Sequence, residues 1–289
     1  MAQETILSLL RKSTAFFEEK GIGEAKLSAE HLLAHVLRQK RLQMYLRFDQ
    51  PVQEEELTAY RALVRRRLAH EPVQYIVGST EFYGLEFAVS PAVLIPRPET
   101  EHLIDAVLDL HKSELLRPDA RILDIGTGSG AIAVTLASQL ADARVTGTDI
   151  SDDALAIATT NAEAHALGSR IRFLSHDIFD GSIDGVDDAF DVVVSNPPYI
   201  PQDEVADLQP EIRNHEPLIA ATDGGDGLRF YRRIAERAGE LLAAGGLLAV
   251  EIGQGQSTAV TEIFSSAGLR DITIRQDYSG IDRIITAWK

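Results

Sequence analysis

The chain contains no cysteine among its 289 residues, which excludes disulfide staples, thiolate metal sites and thiol nucleophiles together and fits an intracellular home. No apolar run approaches the ~18 residues of a membrane span. The opening MAQETILSLLRK brackets a short apolar stretch with charge and lacks a small-residue cleavage site, unlike a secretory leader. Positive charge is also scarce: the net charge is −16, with 12 Lys and Arg against 10 Asp and Glu in residues 1–75 and 16 against 34 in the remainder. A broad basic face for duplex binding is thereby excluded. The local strip Arg65, Arg66 and Arg67 reads either as a contact for RNA or an acidic protein, or as a solvated helix face. His31 and His35 have the i, i+4 spacing of a helical metal pair but no third ligand accompanies them, so no metal is expected. Hydrophobic residues at 45% and charged ones at 25% are ordinary globular usage.

The length is room for two domains at ~100–200 residues each. Residues 1–75 show helical periodicity, with Ile6, Leu9, Leu10, Phe16 and Phe17 on one helix and a stop at Gly21. A second helix is expected to be N-capped by Ser28 and to bury Leu32, Leu33, Val36 and Leu37. A third runs over 54–70 with Leu57, Tyr60, Leu63 and Leu68 inward. Residues 76–100 read as a β-hairpin about Gly84 and a stiff connector holding Pro91, Pro96 and Pro98. From 101 to 289 strands are expected at 121–125, 144–149, 171–176, 190–195 and 247–252. They alternate with helices at 101–116, up to about 140, 152–167, 228–242 and 257–267, the pattern of a parallel sheet covered on both faces. Segments 272–275 and 283–288 pair as a closing antiparallel hairpin.

Two motifs carry chemistry. ILDIGTGSGAIA places Gly126, Gly128 and Gly130 where a strand turns into a helix, a cradle for a nucleoside-bearing cofactor. Gly126, Gly128 and Ala131 also fit the dinucleotide pattern, and Asp149 after the next strand can accept from ribose hydroxyls of either NAD or S-adenosylmethionine. Asp124 favours the latter, since a carboxylate there would oppose a pyrophosphate but attract an amino group and a sulfonium. Asp177 and Ile178 lie where an adenine could be held. The second motif, DVVVSNPPYI, sets Asn196, Pro197, Pro198 and Tyr199 at the carboxyl end of the fourth strand. Its prolines fix φ and remove donors, leaving the Asn196 side-chain carbonyl and the Pro197 backbone carbonyl as two acceptors suited to one planar NH2 group, with Tyr199 able to stack on it. Gripping both hydrogens orients a delocalised nitrogen and stabilises the positive charge that develops as it attacks a methyl group.

DIGTGSGAIA, Asp149 and NPPY together resemble the class I S-adenosylmethionine-dependent amino-methyltransferases. PVQYIVGSTEFYGLEFAVSPAVLIPRPETE, HEPLIAATDGGDGLRFYRRI and DYSGIDRIITAWK extend the likeness over essentially the whole chain to the bacterial release factor glutamine methyltransferases. The resemblance implies a Rossmann-like α/β domain over 101–289 with a seven-stranded, mostly parallel sheet, and a helical domain over 1–75 that recognises substrate. It implies transfer of a methyl group from S-adenosylmethionine to the side-chain amide of the glutamine in the Gly-Gly-Gln loop of class 1 peptide chain release factors, with S-adenosylhomocysteine as product. Gly126, Thr127, Gly128, Ser129 and Gly130 would cradle the cofactor beside Asp124, Asp149, Asp177 and Ile178. Asn196, Pro197, Pro198 and Tyr199 would form the glutamine pocket, Asn196 facing cofactor and substrate. Arg97, Glu99 and Thr100 match a connector motif beside the cofactor pocket. At Ile178 relatives often carry an aromatic residue, a departure that bears on cofactor affinity. The nearest rivals are glutamine methylation of a large-subunit ribosomal protein and amino-methylation of nucleic acid, the latter opposed by the acidic charge. A non-catalytic binding module and a dehydrogenase stand further off. The expected setting is the cytoplasm, with no membrane and no direct nucleic-acid partner; a monomer is compatible.

Overall fold

The computed structural model describes residues 4–186 and 188–289. In chain order the elements are α1 (Ile6–Glu19), α2 (Ala25–Leu37), α3 (Arg41–Tyr45), α4 (Glu54–Leu68), α5 (Val73–Val77), β1 (Ser79–Phe82), β2 (Leu85–Ala88), α6 (Glu101–Lys112), β3 (Arg121–Ile125), α7 (Ala131–Gln139), β4 (Arg144–Asp149), α8 (Asp152–Ala164), β5 (Ile171–Ser175), β6 (Phe190–Ser195), α9 (Pro210–His215), α10 (Arg229–Leu241), β7 (Leu242–Glu251), α11 (Ser257–Ser266), β8 (Arg270–Gln276) and β9 (Asp282–Trp288). They form two compact units, one of residues up to Ser79 together with Gln209–His215, the other of Thr80–Leu208 and Glu216–Lys289.

The first unit is helical. Thr5 and Ser8 form a capping box that starts α1, and Ile6, Phe17, Leu32, Leu33, Met44 and Tyr60 close its core. The expected cap at Ser28 is displaced: α2 begins a turn earlier, after Glu24 in the left-handed region, and Ser28 is buried inside it. Its hydroxyl there accepts from Arg67 Nε at 3.2 Å. That bond also corrects the basic strip. Arg67 is buried, donates to the backbone oxygens of Gly23 and Glu71, and pairs with Glu211 of α9 at 2.8 Å. Arg66 pairs with Glu71, so of the three arginines Arg65 alone takes no part in such a pair among the described residues. The short helices α3 and α5 escaped the periodicity because five residues do not complete an amphipathic repeat.

In the second unit β1 and β2 form the expected hairpin, its turn made by Tyr83 and Gly84 at φ +52° and +73°, the twist that closes a two-residue loop. The main sheet has seven strands in the order β5-β4-β3-β6-β7-β9-β8. The first five are parallel, and β9 and β8 run antiparallel beside them. This is a Rossmann-like sheet. β7 starts at Leu242, earlier than its apolar run, because its first residue pairs with Phe190. Helices α6 and α8 stop before 116 and 167, since Glu114 (φ +60°) and Ala166 (φ +57°) turn left-handed.

A buried asparagine ties the hairpin to the glycine loop. Asn161 of α8, 1% exposed, accepts from the Ala88 N–H at 2.8 Å, and its Nδ2 donates to the oxygens of Ala88 and Ser129 at 3.1 and 2.8 Å. Asn161→Ala removes the side-chain partner of one buried and two partly buried backbone groups, a loss of about 2–4 kcal/mol on the usual scale for such groups. Urea unfolding should show the midpoint fall with the slope unchanged.

Candidate active site

In an open α/β sheet ligands bind beyond the carboxyl ends of the strands where the strand order reverses. Here the chain winds outward from β3 through β4 to β5, then returns to place β6 on the other side of β3. The reversal lies between β3, which leads into the glycine loop, and β6, which leads into Asn-Pro-Pro-Tyr. A cavity of about 430 Å³ opens at this point, bounded by Gly126, Gly128, Asp149, Asp177, Ile178 and Asn196, with Pro197, Pro198 and Phe179. Sequence-distant motifs therefore meet because four parallel strands end on one edge.

The glycine loop is shaped by its own backbone. Gly126, Gly128 and Gly130 have φ of +71°, +55° and +78°. A Cβ at Gly126 or Gly128 would meet nothing within 4 Å, whereas one at Gly130 would press on Ala158 at 3.1 Å. The first two glycines thus keep a conformation and an open approach, while the third permits packing against α8. Asp149 holds the loop from below: one oxygen accepts from Gly128 N–H at 2.9 Å, the other from Ser151 N–H at 3.0 Å. Each oxygen keeps a second lone pair, so the carboxylate can still accept from two hydroxyls of a ribose.

Other expected cofactor residues stand back from the cavity. Asp124 is fully buried and does not line it. Its Oδ2 accepts from the Thr127 hydroxyl at 2.7 Å, and burial pushes its pKa up from 3.8 to about 7. Its expected role as an anion attracting an amino group and a sulfonium is corrected: the carboxyl lies behind the loop, and burial disfavours its charge. Thr127 and Ser129 are likewise buried and shape the loop from within, Ser129 through its carbonyl to Asn161. The folded state holds the Asp124 proton more tightly than the unfolded chain. The stability this carboxyl contributes is present in full below about pH 4 and is lost as pH rises to about 7. Asp124→Asn should raise Tm relative to the native chain progressively across that window, a trend calorimetry at several pH values checks.

At the opposite wall Asp177 caps its own turn, Oδ1 accepting from Phe179 N–H at 2.9 Å. Ile178 lines the cavity as expected, and the aromatic surface comes from residues the sequence reading passed over. Phe179 packs edge-on against Phe230, ring centroids 5.2 Å apart, with the Arg229 guanidinium 4.2 Å above its ring. Two arginines of α10 fix this wall from outside: Arg233 donates to the oxygens of Ile178, Phe179 and Asp180, and buried Arg237 to those of Ile178 and Asp180. Only the adjacency of Phe179 to Ile178 could have signalled it.

The Asn-Pro-Pro-Tyr turn sits on a buried polar chain. Asn196 Nδ2 donates to Thr100 Oγ1 at 3.1 Å, Thr100 donates to Glu251 Oε2 at 2.6 Å, and the Tyr199 hydroxyl donates to Glu251 Oε1 at 3.3 Å. Tyr199 does not line the cavity. Its carbonyl accepts from Gln256 Nε2 at 2.9 Å, and burial beside Glu251 raises its hydroxyl pKa far above the usual value. The Tyr199 hydroxyl and carbonyl thus hold the turn. Arg97 pairs with buried Glu216, which also accepts from Ile95 N–H at 3.2 Å and so pins the connector.

Comparison with known proteins bears on this geometry. Residues 8–78 match the PrmC N-terminal domain family and residues 102–212 the methyltransferase small domain family. A release factor glutamine methyltransferase of Chlorobaculum tepidum is 46% identical over 96% of this chain and 95% of its own length. That of Bacillus subtilis is 39% identical over 98% of both. The chain belongs to the release factor glutamine methyltransferase family. Among solved structures, a human Mettl16 catalytic domain in complex with a MAT2A 3′UTR hairpin is 19% identical, with a TM-score of 0.57 over 82% of this chain and 81% of that one. A methyltransferase from Pyrococcus furiosus is 20% identical, with a TM-score of 0.51 over 81% and 98%. Both share the methyltransferase fold.

Proposed function

We propose that this enzyme transfers the methyl group of S-adenosylmethionine to the side-chain amide nitrogen of the glutamine in the Gly-Gly-Gln loop of class 1 peptide chain release factors, in the cytoplasm. The observation that carries the reading is that Asn196 and Pro197 both line the cavity wall. Asn196 gives its Nδ2 to Thr100, which leaves Oδ1 free beside the carbonyl of Pro197, a residue whose ring fixes the turn. The cavity fits the methyl donor: Gly126 and Gly128 leave space where any side chain would stand, Asp149 keeps lone pairs for ribose, and Ile178 and Phe179 offer apolar and aromatic surface for adenine. When bound, S-adenosylmethionine supplies an electrophilic methyl on a sulfonium.

The chain's own groups do the rest. Asn196 Oδ1 and Pro197 O would accept both hydrogens of the glutamine amide, orient its nitrogen, and stabilise the positive charge that grows as the N–C bond forms and the S–C bond breaks. The amide proton leaves to solvent afterwards, so no dedicated base is required. Pro198 shapes the pocket, and Gly126, Gly128 and Asp149 would hold the donor on a loop that Thr127, Ser129 and Gly130 shape from behind, with Asp177 and Ile178 at its adenine end. Residues 1–75 would recognise the release factor.

Peptide mass spectrometry after incubation with S-adenosylmethionine tests this: one methyl on the Gly-Gly-Gln glutamine is expected, and transfer only to ribosomal protein or nucleic acid would overturn the substrate. Asp149→Ala should weaken S-adenosylhomocysteine binding about 10²–10⁴-fold, the scale of two lost charge-assisted hydrogen bonds, read by calorimetry.

A further inference from the structure

The side-chain amide of Asn196 has two unlike ends of nearly identical shape, and the proposed reaction needs the oxygen to face the cavity. An NH2 turned toward the substrate NH2 would set donors against donors. What decides the orientation is the chain behind it. Thr100 Oγ1 has one proton. Because that proton goes to Glu251 Oε2 at 2.6 Å, the Thr100 oxygen can only accept from Asn196, at 3.1 Å. Glu251 ends β7, is 1% exposed, and receives a second proton donor in Tyr199. An ionised carboxylate only accepts, so it sets the direction of every bond in the chain.

We infer that Glu251 and Thr100 are positioning residues that fix the Asn196 amide with its oxygen toward the glutamine, an inference that rests on the reaction proposed above. The direction reverses if Glu251 is neutral: its hydroxyl can then donate to Thr100, whose proton goes to Asn196 Oδ1, and the Asn196 NH2 faces the substrate. Burial raises the Glu251 pKa from 4.5 to about 7, so the two directions exchange near neutrality. The groups facing it are Arg283 of β9, which favours the ionised form, and Glu99 of the connector, which opposes it. Thr100 and Tyr199 bond the carboxyl itself, and the Tyr231 hydroxyl of α10 donates to the Glu251 backbone oxygen at 2.9 Å.

The test compares Glu251→Gln, Thr100→Val and Thr100→Ser in single-turnover transfer to a release factor at saturating S-adenosylmethionine. The first two should slow transfer about 10–100-fold, a share of what an electrostatic clamp supplies. The Kd for S-adenosylhomocysteine should stay within about twofold, Thr100→Ser should restore most of the rate, and the double variant should be no slower than the worse single one, as for groups acting in one chain. The acid limb of the native rate profile should be absent in Glu251→Gln. Rates within about twofold of native for Glu251→Gln, or losses that multiply in the double variant, overturn the inference. A second readout needs no substrate: the nitrogen-15 signal of the Asn196 side-chain amide, assigned by its loss in Asn196→Ala, should titrate with pH in the native enzyme and not in Glu251→Gln. If the native enzyme methylates no release factor, the reaction reading fails, while an Asn196 signal that ignores pH in the native enzyme rejects the positioning role.

Discussion

Asn196→Ala should reduce methyl transfer by about 10²–10³-fold, the cost of removing one preorganised group that meets developing charge, while leaving the protein folded. The expectation follows from where the side chain sits. It is half-buried at the cavity wall, so its loss opens no void in the apolar core, and its one hydrogen bond to Thr100 is replaceable by water from the cavity. Transfer would fall because the glutamine nitrogen keeps only the Pro197 acceptor, which neither orients both hydrogens nor stabilises the full charge. A thermal midpoint within a few degrees of native, S-adenosylhomocysteine affinity within a few-fold, and a collapsed single-turnover rate together form the expected signature. A rate within tenfold of native would remove Asn196 from the chemistry.

Gly227→Ala should strongly destabilise the second unit. Gly227 lies at φ +77°, and a Cβ there would run into the Tyr199 carbonyl oxygen and stand 2.8 Å from Gln256 Nε2 and 3.2 Å from Pro201 Cγ. Gln256 bridges this point by donating to the oxygens of Tyr199 and Gly227 at 2.9 and 3.2 Å, so the new methyl has no direction in which to yield. Left-handed strain and overpacking each cost about 1–3 kcal/mol, and the displaced Tyr199 carries the turn with it. Denaturant unfolding should show a loss of several kcal/mol in total, and transfer should fall by up to about 10²-fold, the cost of a 1 Å displacement at a positioned site. Gly224→Ala serves as a control of the same backbone type, since φ is +70° there but nothing lies within 4 Å of its Cβ. It should cost only the strain.

The parallel strands were legible because burial on both faces demands continuous apolar runs such as ILDI and DVVV, and the closing hairpin because a turn separates two short strands. The glycine loop and the proline turn were legible because backbone conformation there depends on residue type itself: φ at Gly126 and Gly128 is positive, and prolines fix the turn wherever it sits. Pairing across distance was not written locally. Ser28 looked like a helix cap until Arg67 was seen to claim its hydroxyl. Asp124 was read as an anion drawing the donor's amino group until the loop was seen to bury it, and Tyr199, read as a stacking platform, was seen to give its hydroxyl to Glu251. Residues 209–215 gave no sign of joining the helical unit, because a charge pair between Arg67 and Glu211 spans far more chain than any periodicity reaches. The sequence by itself determined the parts the proposed reaction would use, because those parts are chemical identities: a glycine cradle, a carboxylate after the next strand, an asparagine and a proline turn. Only the tertiary structure decided which groups are buried, which face the cavity and which neighbour Asn196 bonds, because burial and hydrogen bonding are properties of neighbours that the chain brings together from positions as far apart as Thr100 and Glu251.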